Sequence, residues 1–79
     1  MEQIATFHTH LGALRLEKRL RGLGDSAAVM MPVPRKLSAS CGTCVRFSMP
    51  FESAWASEDL DAVYVPQGEG YKAVFVNQE

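Results

Sequence analysis

The stretch Ala27-Ala28-Val29-Met30-Met31-Pro32-Val33-Pro34 decides how this chain folds. Five consecutive apolar residues, cut off by prolines that remove backbone donors, read as a buried strand brought to a stop. Just upstream, Leu11, Leu14, Leu16 and Leu20 sit among Arg15, Glu17, Lys18, Arg19 and Arg21, close to helical spacing from His10 to Leu20. Gly22 and Gly24 then supply the conformational freedom that ends helices. Further upstream, Gln3-Ile4-Ala5-Thr6-Phe7 is short, partly β-branched, and leads into Thr9, whose hydroxyl suits the free amides of a helix start. The order so far is strand, helix, strand.

Downstream, residues 35–42 are polar and small, which is loop material, and Thr43-Cys44-Val45-Arg46-Phe47 alternates as a half-buried strand does. Pro50 can open a short helix through Phe51, Trp55 and Ala56. Ala62 to Val65, a Gln67-Gly68-Glu69-Gly70 turn and Tyr71 to Val76 read as a C-terminal β-hairpin. The expected architecture is α+β over one domain, 1–79, on the ferredoxin-like split βαβ plan: an antiparallel sheet with two helices on one face. A right-handed crossover makes the first two strands parallel, and the third returns most simply between them. The end of strand one, the start of helix one, the Pro-Val-Pro segment and Cys41 are then expected at one edge of the sheet.

Composition narrows the function classes. The 79 residues are 47% hydrophobic and 22% charged with a formal net charge of −1, the profile of a globular protein with no field to attract phosphate backbones. No nucleic-acid partner is expected. Arg15, Lys18, Arg19 and Arg21 read as the solvated face of a helix rather than an anionic docking patch. No apolar run approaches bilayer-spanning length, and Met1-Glu2-Gln3 is unlike a signal peptide, so the expectation is a cytoplasmic protein without a membrane partner. Two cysteines separated by two residues close too small a loop to staple a secreted domain. Redox or metal chemistry in a reducing compartment suits them better.

The concentrated chemistry lies at Cys41-Gly42-Thr43-Cys44. A thiol of ordinary pKa, about 8.5, is only slightly ionised near neutral pH, so a reactive cysteine needs positive charge beside it. The amides and dipole at the start of the first helix, Arg35, and His8 or His10 are the candidate sources. Small neighbours Ser38, Ala39, Ser40 and Gly42 leave the Cys41 sulfur reachable, and Gly42 lets the backbone turn or offer an amide to an anion. Cys44, inside an alternating strand, reads as packing or as a resolving thiol. Three uses of the pair stay open. A dithiol switch has the right spacing, but the pair precedes a strand instead of opening a helix. A zinc site would use His8, His10, Cys41 and Cys44, although that spacing is not a standard finger. A structural or protein-interaction module would use both sulfurs as small hydrophobes.

Other polar features read as surface. Glu52, Glu58, Asp59, Asp61 and Glu69 show no evident pairing, and Gly68-Glu69-Gly70 lacks the strand-to-helix context of a phosphate loop. Phe7, Phe47, Phe51, Trp55, Met30 and Met31 read as core. Tyr71 to Val76 offers an edge strand through which a homodimer would pair.

From Pro32 through Pro34, Arg35 and Ser38-Ala39-Ser40-Cys41-Gly42, and again at Val45-Arg46-Phe47, the sequence resembles a family of short bacterial selenium/sulfur carrier-like proteins. Phe7, Thr9, Ala13-Leu14 and Glu17-Lys18 fall where those proteins carry a strand end, a Ser/Thr turn and an amphipathic helix. The resemblance spans roughly the first three-fifths of the chain; the C-terminal part matches only in general character. It implies a carrier, not a turnover enzyme, that needs no cofactor and holds sulfur or selenium on Cys41 as a persulfide or selenosulfide, between donor and acceptor enzymes. It carries over Cys41 and Gly42, with Pro34 shaping the loop and Arg35 supplying charge. Cys44 departs from the pattern, which has a small apolar residue there.

Overall fold

Five strands, one α-helix and one 3-10 turn make up the computed structural model, which describes residues 2–37 and 42–77. The strands are β1 (Gln3–Phe7), β2 (Val29–Pro32), β3 (Thr43–Phe47), β4 (Leu60–Gln67) and β5 (Gly70–Val76), and the helix α1 spans His10–Gly22. They form an antiparallel sheet in the order β2-β3-β1-β4-β5. As expected, β3 lies between β2 and β1, Ala5 pairing with Val45 and Met30 with Val45 on its other side. β1 is central and buried at all five positions.

Helix α1 starts where Thr9 leaves extended backbone (φ −133°, ψ 154°) and its Oγ1 accepts the amide of Gly12 at 3.1 Å. It packs on β1, β2 and β3, burying Ala13, Leu16 and Leu20 against Ala5, Phe7, Val45, Phe47 and Val63. Leu11, expected on the apolar stripe, is half exposed at the rim of that contact. Gly12 is the point of closest approach, because a Cβ there would meet the Asp59 Cβ at 2.6 Å.

Buried Asp25 ties the end of the helix turn to the end of β3. Its Oδ2 accepts the amides of Ser48 at 2.9 Å and Met49 at 3.3 Å, while Oδ1 accepts the Ser48 hydroxyl at 2.9 Å and the Ala27 amide at 3.0 Å. The Ser48 amide is the main cause of a carboxyl held below its ordinary pKa; burial pushes the other way, and the donors together prevail.

Three expectations need correction. No second α-helix forms among the described residues: Pro50–Ala56 holds only the 3-10 turn Ser53–Trp55, since Glu52 (ψ 134°) and Ala56 (ψ 138°) are extended on either side. A two-turn helix is marginal alone. Here a single turn already sets Phe51 edge-to-face on Trp55, with centroids 5.9 Å apart, and Phe51 against Phe75 at 5.0 Å. The plan of two helices on one face is therefore replaced by one helix on a five-stranded antiparallel sheet. Second, β2 is not a fully buried strand, because it stands at the sheet edge and is half-buried, its end shaped by Pro32 and Pro34. Third, Asp61 is paired, as described below.

The C-terminal hairpin is present, and β5 is the opposite edge. Gln67 pairs with Gly70 across a two-residue turn in which Gly68 takes φ +59° and Glu69 does not take positive φ, the signature of a type II′ turn. No helix among the described residues is long and apolar enough to cross a membrane.

Candidate functional site

The strand order carries the end of β1, the start of α1, the end of β2 and the start of β3 to one edge of the sheet. Two hydrogen bonds close this edge around the connection between β2 and β3. The Val33 amide donates to the Gly42 carbonyl at 3.0 Å, and the Cys44 thiol lies 3.7 Å from the Pro32 carbonyl. Cys41 lies outside the described residues, as do Ser38, Ala39 and Ser40. Its following neighbour, Gly42, has φ +73°, a left-handed backbone that a residue with a side chain adopts only with strain.

His10, in the first turn of α1, reaches β3: its Nδ1 is 3.5 Å from Oγ1 of Thr43, two residues beyond Cys41. The helix start, capped by Thr9, thus faces the far end of the cysteine loop. His8 turns to another partner. Its amide donates to the Asp59 carbonyl at 2.7 Å, and its Nε2 is 3.9 Å from Oδ1 of Asp61, both side chains being partly exposed. The other Asp61 oxygen is 3.3 Å from the Thr6 hydroxyl. The register shift between Thr6 and Phe7 makes this possible, because β4 inserts Asp61 between the partners of those two residues. Spacing along the chain carries no signal of a bulge, so Asp61 reads from sequence as an isolated surface carboxylate.

Cys44 is fully buried in β3, paired with Thr6 on one side and Met31 on the other. Pro34 opens a turn in which the Leu37 amide donates to the Pro34 carbonyl at 3.0 Å. Exposed Arg35 and Lys36 stand beside the β4–β5 turn, sharing a cleft with Pro66, Glu69 and Tyr71. The structure therefore brings Thr9, His10, Gly42 and Thr43 together and sets Arg35 beside the hairpin. Among the described residues, no group of three or more His, Cys, Asp or Glu side chains converges as a metal site, and the set His8, His10, Cys41, Cys44 includes a residue outside them.

At this edge a glycine of left-handed backbone precedes Thr43, whose hydroxyl lies 3.5 Å from the His10 imidazole. A family model described as "Putative Se/S carrier protein-like" matches residues 2–56, from β1 through the Ser53–Trp55 turn. No curated protein and no solved structure matches the chain.

Proposed function

The chain belongs to the Se/S carrier protein-like family, and from that premise we propose that it relays sulfur or selenium on Cys41 between a donor and an acceptor protein. The observation that carries this reading is the pairing of His10 with Thr43, which sets the first turn of α1 against the end of the cysteine loop. The family match includes the whole of this loop and both elements that frame it.

The chemistry is redox-neutral. The Cys41 thiolate attacks the outer sulfur of a donor persulfide, a new S–S bond forms on Cys41, the donor's S–S bond breaks, and the donor thiolate leaves. An acceptor thiolate or other nucleophile then takes the outer sulfur, and Cys41 leaves as the thiolate. A helix start and a nearby histidine favour that anion at both steps. Selenium follows the same course as a selenosulfide. No cofactor takes part, and the reducing cytoplasm is the compartment in which this exchange runs. The fold belonging to this reading is a split βαβ plan, supported by the β2-β3-β1-β4 order, with the second helix reduced to one turn.

Intact-mass spectrometry, native and denatured, after incubation with a persulfide-generating cysteine desulfurase tests the proposal. The expected result is a reducible added sulfur atom that is lost in Cys41→Ala and kept in Cys44→Ala. No adduct, with a metal ion retained only in the native spectrum, would overturn the carrier in favour of a zinc site. Loss of the adduct in both variants would point instead to a dithiol switch.

A further inference from the structure

The sheet ends in two edges, β2 and β5, and the hydrogen-bonding groups they turn outward differ. Across an antiparallel pair, opposed residues alternate between those that exchange hydrogen bonds and those whose amides face away. On β2 the Val33 amide donates to the Gly42 carbonyl, which fixes the alternation: Met31 and Val29 turn toward β3, while Pro32, Met30 and Ala28 turn away. Proline has no N–H, and the Ala28 amide is taken by the Asp25 carbonyl at 3.3 Å. Of β2, only Met30 therefore presents an outward donor, and this edge is blunted.

Strand β5 is different. The Asn77 amide donates to the Asp61 carbonyl at 3.0 Å, so Val76, one residue earlier, faces away from β4. At the other end the turn closes on Gln67 and Gly70, which turns Gly70 and Lys72 inward and Tyr71 and Ala73 outward. Tyr71, Ala73 and Val76 thus point their amides off the sheet. The side chains among them are largely apolar: Val74 is 51% exposed and Val76 55%, and Lys72 is the strand's single charge. Val74 and Phe75 also share a cleft with Pro50, Phe51 and Val65, beyond the strands on which α1 packs.

We infer that β5 is a homodimer interface, pairing antiparallel with β5 of a second copy about a two-fold axis at Ala73–Val74. In that register Tyr71 stands opposite Val76 of the second copy, so outward amides meet outward carbonyls on both sides of the axis. The bulge selects the occupant. Val63 pairs with Phe75 and Tyr64 with Ala73, which leaves Val74 as the extra residue. A bulge bends an edge away from a regular strand, but the two-fold sets each bend against its own equivalent. Charge selects the register. An axis through Lys72 would also join outward groups, Tyr71 to Ala73, but would set two lysines face to face; the axis at Ala73–Val74 sets Lys72 opposite Phe75 instead. The two sheets then join into one whose free ends are both β2, so the pairing closes at two copies. None of this depends on Cys41, and the inference stands apart from the carrier reading.

Sedimentation velocity on the full chain, from roughly 1 µM to 1 mM, covers the affinities of so small an interface. The parent should move from 8.7 kDa toward twice that mass as concentration rises. Hydrogen exchange over 70–77 should slow in step, while exchange in α1 stays constant. Val76→Pro deletes an outward donor that β4 does not use, once in each copy. It should weaken the dimer roughly ten- to fiftyfold, the range for two hydrogen bonds of modest net strength. Val74→Lys puts like charges beside the axis and should also weaken it; every backbone donor is kept, so this variant decides the matter if proline disturbs β5 itself. Val29→Lys, on the other edge, should change nothing. A parent that stays monomeric over the whole range, or a dimer that survives Val74→Lys, would overturn the inference.

Discussion

The Nδ1 of His10 lies 3.5 Å from Oγ1 of Thr43, joining the first turn of the only α-helix among the described residues to the strand that follows the cysteine loop. His10→Ala removes that neighbour, along with the nearest imidazole on the helix start. Iodoacetamide alkylation of Cys41 at neutral pH, followed by peptide mass spectrometry, should slow roughly two- to fivefold, the range for one favourable local charge effect. Thr43→Val should slow it in the same direction. Both residues lie outside the main apolar cluster, so melting temperatures should move little.

Asp25 is a determinant of stability, because its buried carboxylate accepts four hydrogen bonds. Asp25→Ala leaves the amides of Ala27, Ser48 and Met49 and the Ser48 hydroxyl without their acceptor. Thermal unfolding followed by circular dichroism should show a loss of about 2–4 kcal/mol, a drop of roughly 10–25 °C for a domain of this size. Asp25→Asn retains one acceptor oxygen and should fall between the variant and the parent.

The same carboxylate sets a pH dependence. Its pKa in the folded chain is below the ordinary value of 3.8, chiefly because the Ser48 amide donates to the anion. A depressed pKa means that the unfolded chain binds the proton more readily. The stabilisation is therefore complete above the unfolded value and drains away as pH falls below 3.8 through the folded value. Urea midpoints for the parent should decline over that window, and the difference between parent and Asp25→Asn should shrink with them.

Two glycines of α1 should respond oppositely to alanine. At Gly12 the new methyl meets the Asp59 Cβ at 2.6 Å and the Phe7 ring at 3.0 Å, whereas at Gly22 nothing lies within 4 Å. Gly12→Ala should destabilise by about 1–3 kcal/mol through overpacking, despite alanine's better helix propensity. Gly22→Ala should be neutral or add up to about 1 kcal/mol. Chemical denaturation of the two variants side by side checks the contrast.

Much of the local structure is legible in the residues themselves. Thr9 before an amphipathic run, the alternation of Thr43 to Phe47, and two strands flanking Gly68 are short-range signals, and each element stands where its pattern places it. The sequence also foretold the insertion of β3 between β1 and β2, because a right-handed crossover leaves few other routes. Phe51 and Trp55 misled it. Their spacing suits a helix, but packing against Phe75, which is distant in sequence, is satisfied by a single 3-10 turn.

What the sequence determined by itself was the strands and the first helix, their order, and the motif around Cys41, since periodicity, capping and turn chemistry act within a few residues. Only the tertiary structure decided which of those residues meet. The bulge opposite Thr6 brings Asp61 to His8, the buried turn gives Asp25 its four donors, and Lys36, after β2, donates to the Glu69 carbonyl. Such contacts depend on strand register and on which groups are shut away from water. Those are properties of the whole packed sheet, and no stretch of neighbouring residues encodes them alone.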